Sequence, residues 1–344
     1  MALAGLSWAS AVVAVSAGAQ TTPADAARDS TFLLATTDPS RAPSPFIGNG
    51  RFGVVVPPLG IGASRSLVAG LFEHGPGDVP RIAAAPAWNA IAVFDGARWL
   101  GMDTVAHGAL DSYRQDIDMR TGTARTAYDW VDGRRRTSVR VETFISRADP
   151  HLAVIRLALV PHSAGPMRVR FALAGWRPPH RLALATLTKP QPEWGPAELW
   201  YAGHMAVRTR AAALQPDGAR LSMTAAPDGR TTTLAEAAAV SWTRNLPGAR
   251  ARTVTSGDTA MVELSFDASP GLTYTFTYMV SMLSSVESPQ PLAQATRDAA
   301  AARSRGYGAL AAANAAAWQR RWETDIEIDG DPALQRLVRS MLFY

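Results

Sequence analysis

The chain has 344 residues, 47% of them hydrophobic, with no cysteine and a formal net charge of +5. That length and apolar content support one large domain or two smaller ones and exclude a globally disordered chain. Without cysteine there is no disulfide framework and no thiolate chemistry. The positive charge is nearly all arginine, Lys189 being the sole lysine. The arginines are scattered, and the densest run, Arg134-Arg135-Arg136, follows the turn signal Asp132-Gly133, so it is expected on a solvated loop. A nucleic-acid stripe is not expected.

In chain order, the first stretch is MALAGLSWASAVVAVSAGAQ. It is too short and too rich in small residues for a membrane span, so no stable membrane insertion is expected. Ala17-Gly18-Ala19 fits the small-x-small cleavage pattern, although no lysine or arginine precedes it. The expectation is a signal peptide over 1–19, cleaved after Ala19, and a secreted or periplasmic protein; an alanine-rich disordered tail is the alternative. A polar, proline-bearing and flexible segment, 20–45, follows.

From there the pattern is strand-like. Asp95-Gly96, Thr121-Gly122, Asp132-Gly133, Asp217-Gly218 and Asp228-Gly229 fall between strand-like runs, as hairpin turns require. Gly48-Asn49-Gly50 lacks the rest of a phosphate-loop motif and reads as a tight bend. Met167, Val169, Phe171 and Leu173 alternate with polar residues, as do Val262, Leu264 and Phe266 against Glu263, Ser265 and Asp267. Leu272, Tyr274, Phe276, Tyr278 and Val280 repeat the pattern, which means sheets with one buried face. HLAVIRLALV, His151 to Val160, is apolar on both faces except at Arg156 and suits a central strand covered on both sides. The fold class is therefore mainly β, a large antiparallel β-sandwich over 46–286.

Near Ser288 the chain becomes alanine-rich and helical. Two helices broken at Gly306-Tyr307-Gly308 are expected within a linker over 287–325. Trp318 and Trp322 share one helix face and read as anchors onto the sandwich. A short extended piece with Ile326 and Ile328 precedes a last helix, within 326–344. Asp331 caps it, Pro332 opens it, and Leu334, Leu337, Val338, Met341 and Leu342 form its apolar stripe.

Chemistry-bearing residues are few. Asp116 and Asp118, two apart on a strand, share a side, whereas glycosidic chemistry needs carboxyls flanking a bond from opposite faces. They are expected to be turn and surface carboxylates near Arg114 and Arg120. The six histidines, His74, His107, His151, His162, His180 and His204, have no metal-binding spacing, so no metal and no cofactor are expected. Trp176, Trp194 and Trp200 stand among five prolines between Gly175 and His204. Trp194 and Trp200 are the candidate substrate-binding residues, because indole faces stack on sugar rings; packing against another element is the alternative.

Four stretches carry a resemblance. They are PFIGNGRFGV (Pro45 to Val54), YRQDIDMRTGTARTAYDW (Tyr113 to Trp130), VETFISRADPHLAVIRLAL (Val141 to Leu159) and WQRRWETDIEIDGDPALQRLVRSMLFY (Trp318 to Tyr344). In that order they resemble glycoside hydrolase family 65, the family of acid trehalases, kojibiose-type hydrolases and disaccharide phosphorylases. The resemblance implies a galactose mutarotase-like super-sandwich, a helical linker and the truncated start of an (α/α)6 barrel, 326–344 being its first helix. It implies an inverting hydrolase of α-glucosidic oligosaccharides whose acid and base lie in barrel loops. No catalytic residue is therefore carried onto this chain, which alone is expected to be inactive. The partners implied are an α-glucoside and the missing barrel; a homodimer is left open. Asn314 departs from the family, which often has histidine there. A stand-alone carbohydrate- or protein-binding sandwich and a fragment of a disaccharide phosphorylase are the alternatives.

Overall fold

A computed structural model describes residues 29–41, 45–74, 80–101, 109–176, 203–227, 229–242 and 246–344. In chain order the strands are β1 (Leu33–Thr36), β2 (Phe46–Gly48), β3 (Phe52–Val55), β4 (Ser66–His74), β5 (Pro80–Ala85) and β6 (Ala87–Phe94). Then come β7 (Leu110–Asp118), β8 (Thr123–Asp132), β9 (Arg135–Ile145), β10 (Leu152–Pro161), β11 (Gly165–Ala174) and β12 (Gly203–Gln215). β13 (Gly218–Pro227), β14 (Leu234–Trp242), β15 (Arg250–Ser256), β16 (Thr259–Ala268) and β17 (Tyr274–Ser284) complete the strands. Helices α1 (Pro291–Arg321) and α2 (Pro332–Phe343) follow.

A 13-stranded sheet runs β1-β7-β8-β9-β10-β17-β14-β13-β12-β5-β4-β3-β2, and a 4-stranded sheet runs β15-β16-β11-β6. The pairings are antiparallel except β12 with β5, which is parallel at Gly203–Ala83 and His204–Ala84. The expected β-sandwich is therefore present. The segment expected to be flexible contributes to it: Leu33 and Leu34 pair with Asp118 and Ile117, so β1 extends the large sheet, and Phe32 beside it is buried.

The interior is built from the alternating residues. On β11, Met167, Val169, Phe171 and Leu173 are buried, in register with β6 and β16. Phe171 meets Phe276 and Tyr278 across the layers at ring distances of 5.8 and 5.4 Å, and Phe266 meets Tyr274 at 4.8 Å. Burying each such side chain stabilises the fold by about 1.5–3 kcal/mol. Leu272 is the exception. It lies in the turn before β17, its N–H directed to Ser269 O, and is 52% exposed. Glu263, expected on the wet face, is buried there under Arg170 and Arg252, its direct cross-strand neighbours. Arg170 Nε lies 2.6 Å and Arg252 Nη2 2.8 Å from its carboxylate. Burial alone would raise that carboxyl; the two guanidiniums hold it below the usual carboxylate range.

The aspartate-glycine signals at Asp132-Gly133 and Asp217-Gly218 do fall at turns, for different reasons, while Asp228 lies outside the described residues. Gly133 has φ +59° between β8 and β9. Gly218 is already in β13, paired with Gln215, and a Cβ there would lie 2.1 Å from Val240 O. Close approach to β14, not turn geometry, selects that glycine.

The large sheet is covered on its outer face by α1. Ala295 and Ala299 pack on Ala237, Ala239 and Leu283. Beyond a break at Gly306 (φ +77°, ψ 161°), Leu310 joins Ala302 over Phe144, Leu152, Val154 and Met279. The two expected helical segments are thus one covering element with a kink. Strand β10, expected to be covered on both faces, has Ala153, Ile155, Leu157 and Leu159 in the sandwich core and Leu152 and Val154 under the helix.

Glu236 faces the sandwich interior with Leu234, Ala238 and Val240, and neither carboxylate oxygen has a hydrogen-bond partner. Burial pushes its carboxyl well above the usual range. Above the ordinary carboxylate range the unfolded chain releases this proton while the native state keeps it, so stability falls as pH rises. Glu236→Gln, uncharged throughout, is expected to flatten that fall. Melting temperatures of both proteins between about pH 5 and 8 should diverge with increasing pH, the variant being higher at the alkaline end.

Candidate functional site

The residues that carry the recognisable sequence words converge where the linker meets the sandwich. Gly48-Asn49-Gly50 is the bend between β2 and β3, with Gly48 paired to Gly53. The Asn49 amide donates to Ser146 O at 2.7 Å and Pro150 O at 3.0 Å, and its oxygen accepts from the N–H groups of Arg51 and Phe52. Arg51 grips Glu287 through Nε and Nη2. Glu287 also accepts from Ser284 N and Oγ, both at 2.8 Å, and lies 3.2 Å from His151 Nε2. Against the cost of burial, these donors hold its carboxyl at about 2. The hairpin, the turn before β10 and the exit from β17 are thus clasped together.

A second seam fixes the end of α1. Trp318 is buried, and Gly122 (φ +60°) makes room for it: a Cβ there would lie 2.1 Å from Trp318 Nε1. Arg147 stacks over its indole at 4.8 Å, and Phe343 of α2 stacks at 4.9 Å. Trp322 donates to Met119 O at 2.8 Å and meets the Phe32 ring edge-on. Both tryptophans anchor linker to sandwich, as expected. Buried Asn314 bridges the same seam, accepting from Arg147 N at 2.9 Å and donating to Thr121 O at 2.7 Å.

Helix α2 docks by its polar side. Asp331 caps it, accepting from Ala333 N and Leu334 N at 3.0 Å. Buried Gln335 bonds Ile326 O and Ile328 N. Buried Arg339 reaches Asp325, Asp29 and Thr31 and lies 3.8 Å over the Phe32 ring. The stripe expected to be its apolar face points away: Leu334 is 43%, Leu337 55% and Met341 73% exposed.

Asp116 and Asp118 do face one side, bridged by Arg125 at 3.5 and 3.0 Å. They are buried carboxylates, not the surface groups expected: β1 pairs alongside them and Arg125 engages both. Glu142 alongside accepts from Tyr307 of α1 at 2.7 Å. Arg125 across both acids, with Arg114 Nε 3.1 Å from Asp116, holds them on one side and leaves no acid–base pair of opposite-face geometry between them. Among the described residues no cluster of histidine and acidic side chains is arranged to hold a metal, and no helix is long and apolar enough to cross a membrane. Trp194 and Trp200 lie outside the described residues, as do His107, His180 and the segment through Ala19.

Asn49, Arg51, Glu287, Asn314, Gln335 and Arg339 were not singled out by composition or spacing. Asn49, Arg51, Gln335 and Arg339 lie inside the stretches that carry the resemblance and Asn314 at a departure from it, but most of their partners are distant in sequence, so spacing does not reveal the contacts.

A β-sandwich clasped to a helical linker is the class of domain these features define. The N-terminal domain of glycosyl hydrolase family 65 matches residues 45–321, and the chain belongs to that family. It is 35% identical to a kojibiose hydrolase of Mucilaginibacter mallensis over 83 residues, which is 24% of this chain and 12% of that protein. It is 34% identical to a kojibiose hydrolase of Flavobacterium johnsoniae over 89 residues, 25% of this chain and 13% of that protein. A human-microbiome protein assigned as a kojibiose phosphorylase has the same fold, with a TM-score of 0.73 and 12% identity over 92% of this chain and 41% of that one. The chain thus matches less than half the length of each of these proteins.

Asn314→Ala would leave Arg147 N and Thr121 O unpaired at the seam and is expected to cost about 2–3 kcal/mol. Asn314→His should cost less, since a neutral imidazole also offers one acceptor and one donor. The urea midpoints of the two variants check the order.

Proposed function

We propose that this chain is the N-terminal, non-catalytic part of an inverting family 65 hydrolase that acts on α-glucosidic oligosaccharides. The chemistry belongs to loops of an (α/α)6 barrel of which this chain would hold only the first helix, α2. The observation that carries this reading is α2: its polar face is docked on the sandwich while Leu334, Leu337, Met341 and Leu342 face outward, as a helix does when a further apolar layer packs on it. The two kojibiose hydrolases named above support a glucoside substrate. In the barrel, one carboxyl protonates the leaving oxygen and one carboxylate activates water on the opposite face of the sugar. The sandwich and linker hold that barrel in place, and no residue of this chain is assigned to catalysis.

A disaccharide phosphorylase, with inorganic phosphate in place of water, is the second reading, favoured by the fold shared with the phosphorylase-assigned structure. Export through a signal peptide cleaved after Ala19 argues for the hydrolase, since an extracellular enzyme has little control of phosphate. A stand-alone binding sandwich would leave the α2 stripe without a partner.

The chain alone is expected to release no glucose from kojibiose or trehalose, with or without phosphate; measurable turnover overturns the assignment. Trp194 and Trp200 are proposed to contact sugar in the complete enzyme. Trp194→Ala should there weaken substrate affinity roughly fivefold or more, about the loss of one stacking contact. Unchanged affinity removes that role.

A further inference from the structure

We infer that the cleft between the turn into β10 and the first half of α1 is a non-catalytic binding site for one neutral sugar unit. The cleft measures about 310 Å³ and is lined by Asp149, His151, Ser281, Gln294, Asp298 and Arg305, among others. Its floor is the unusual feature. Met279 and Leu283, two residues either side of Ser281 on β17, lie in the two apolar clusters beneath α1. Ser281 between them is fully buried, and its Oγ has no hydrogen-bond partner. A hydroxyl buried unpaired under an otherwise apolar helix destabilises the fold unless something reaches it. Ser281 belongs to the lining of the cleft, as do the small side chains of Ala301 and Ala302 on the helix.

The walls are polar and mixed. Arg305 Nη1 donates to Asp149 Oδ2 at 2.8 Å, and Gln294 Nε2 donates to Asp298 Oδ1 at 2.7 Å. Each pair leaves a carboxylate oxygen for a ligand, and Arg305 retains further N–H donors. Sugar hydroxyls both donate and accept, so a rim of interleaved donors and acceptors suits a polyol. Asp149 is balanced by Arg305, while Asp298 meets only a neutral amide in its pair with Gln294. The cleft therefore carries net negative charge and disfavours a phosphorylated sugar. Its volume is at the lower bound of small-molecule sites and matches one ring, not an oligosaccharide. A ligand here would touch both the sandwich and α1, and so stabilise the native state by linkage.

The test is calorimetric titration and thermal melting of the 344-residue chain with D-glucose, with glucose 6-phosphate in parallel. Saturable glucose binding is expected, with a melting temperature that rises with sugar concentration and at least tenfold weaker binding of the phosphate ester. Ala301→Phe, at an exposed position on the cleft wall, should weaken glucose at least tenfold while leaving melting in sugar-free buffer as in wild type. No saturable binding by the wild-type chain overturns the inference, as does undiminished glucose binding by Ala301→Phe or equal binding of the phosphate ester. The readout needs no turnover, so its failure leaves the proposed catalytic assignment untouched.

Discussion

Strands β10, β14 and β17 carry apolar side chains on both faces, and the arrangement of everything after Ser284 depends on covering the outer one. The sandwich interior takes one set, through Ile155, Leu157, Val240, Phe276 and Tyr278. The other set, Val154, Ala237, Ala239, Met279 and Leu283, would be wet without α1. The alanine richness of α1 follows from this role. Alanine gives a smooth, closely approaching helix surface and loses no side-chain entropy when buried. Alanines 237 and 239 on the strand side allow the same close approach. A composition that reads as low complexity is therefore a packing device, and the kink at Gly306 lets the second half of the helix continue over Phe144 toward the Trp318 seam.

With α1 in place, the remaining junctions are held mainly by hydrogen bonds and ion pairs. The Asn49 and Arg51 clasp ties the hairpin before the sandwich to the exit from it. Asn314 ties α1 to two separate turns. Arg339 ties α2 back to the N-terminal residues Asp29 and Thr31. Such contacts fix geometry more sharply than apolar burial, because each needs a partner at one distance and direction. The docking of α2 by its polar face is the plainest example. A helix usually turns its apolar stripe to the body it packs on. Here buried Gln335 and Arg339 are fully engaged, and the apolar stripe remains outward.

Local pattern made the sandwich readable. Period-two alternation placed Met167 to Leu173 and Tyr274 to Val280 on buried faces, and turn chemistry placed the hairpins. Where a residue's fate depends on a distant partner, local pattern gave the wrong environment. Glu263 and Asp118 look solvent-facing until Arg170, Arg252 and Arg125 are brought across from other strands. Leu272 fits the alternation but sits one turn too early, and Leu33 fits a strand whose partner β7 begins more than seventy residues later. The anchoring of Trp318 and Trp322 was legible from their spacing and size; the glycine that admits Trp318 was legible only as a turn. The candidate sugar contacts Trp194 and Trp200 lie outside the described residues, whereas Ser281 was invisible in sequence because nothing local distinguishes it from any strand serine.

The arginine bias finds its explanation in the same contacts. Arg51, Arg125, Arg170, Arg252 and Arg339 each engage a partly or fully buried carboxylate, several through two nitrogens at once. A planar guanidinium, more weakly hydrated than an ammonium, suits such sites, and a lysine in its place would satisfy fewer acceptors. The acids they meet are correspondingly spent: Asp116, Asp118, Glu263 and Glu287 are held by cations, whereas Glu236 is buried in the interior without a hydrogen-bond partner. An inverting hydrolase needs one carboxyl free to give a proton and another free to take one, across a space that admits water. Asp116, Asp118, Glu263 and Glu287 instead brace the fold, each spent on a cation brought from another strand or turn.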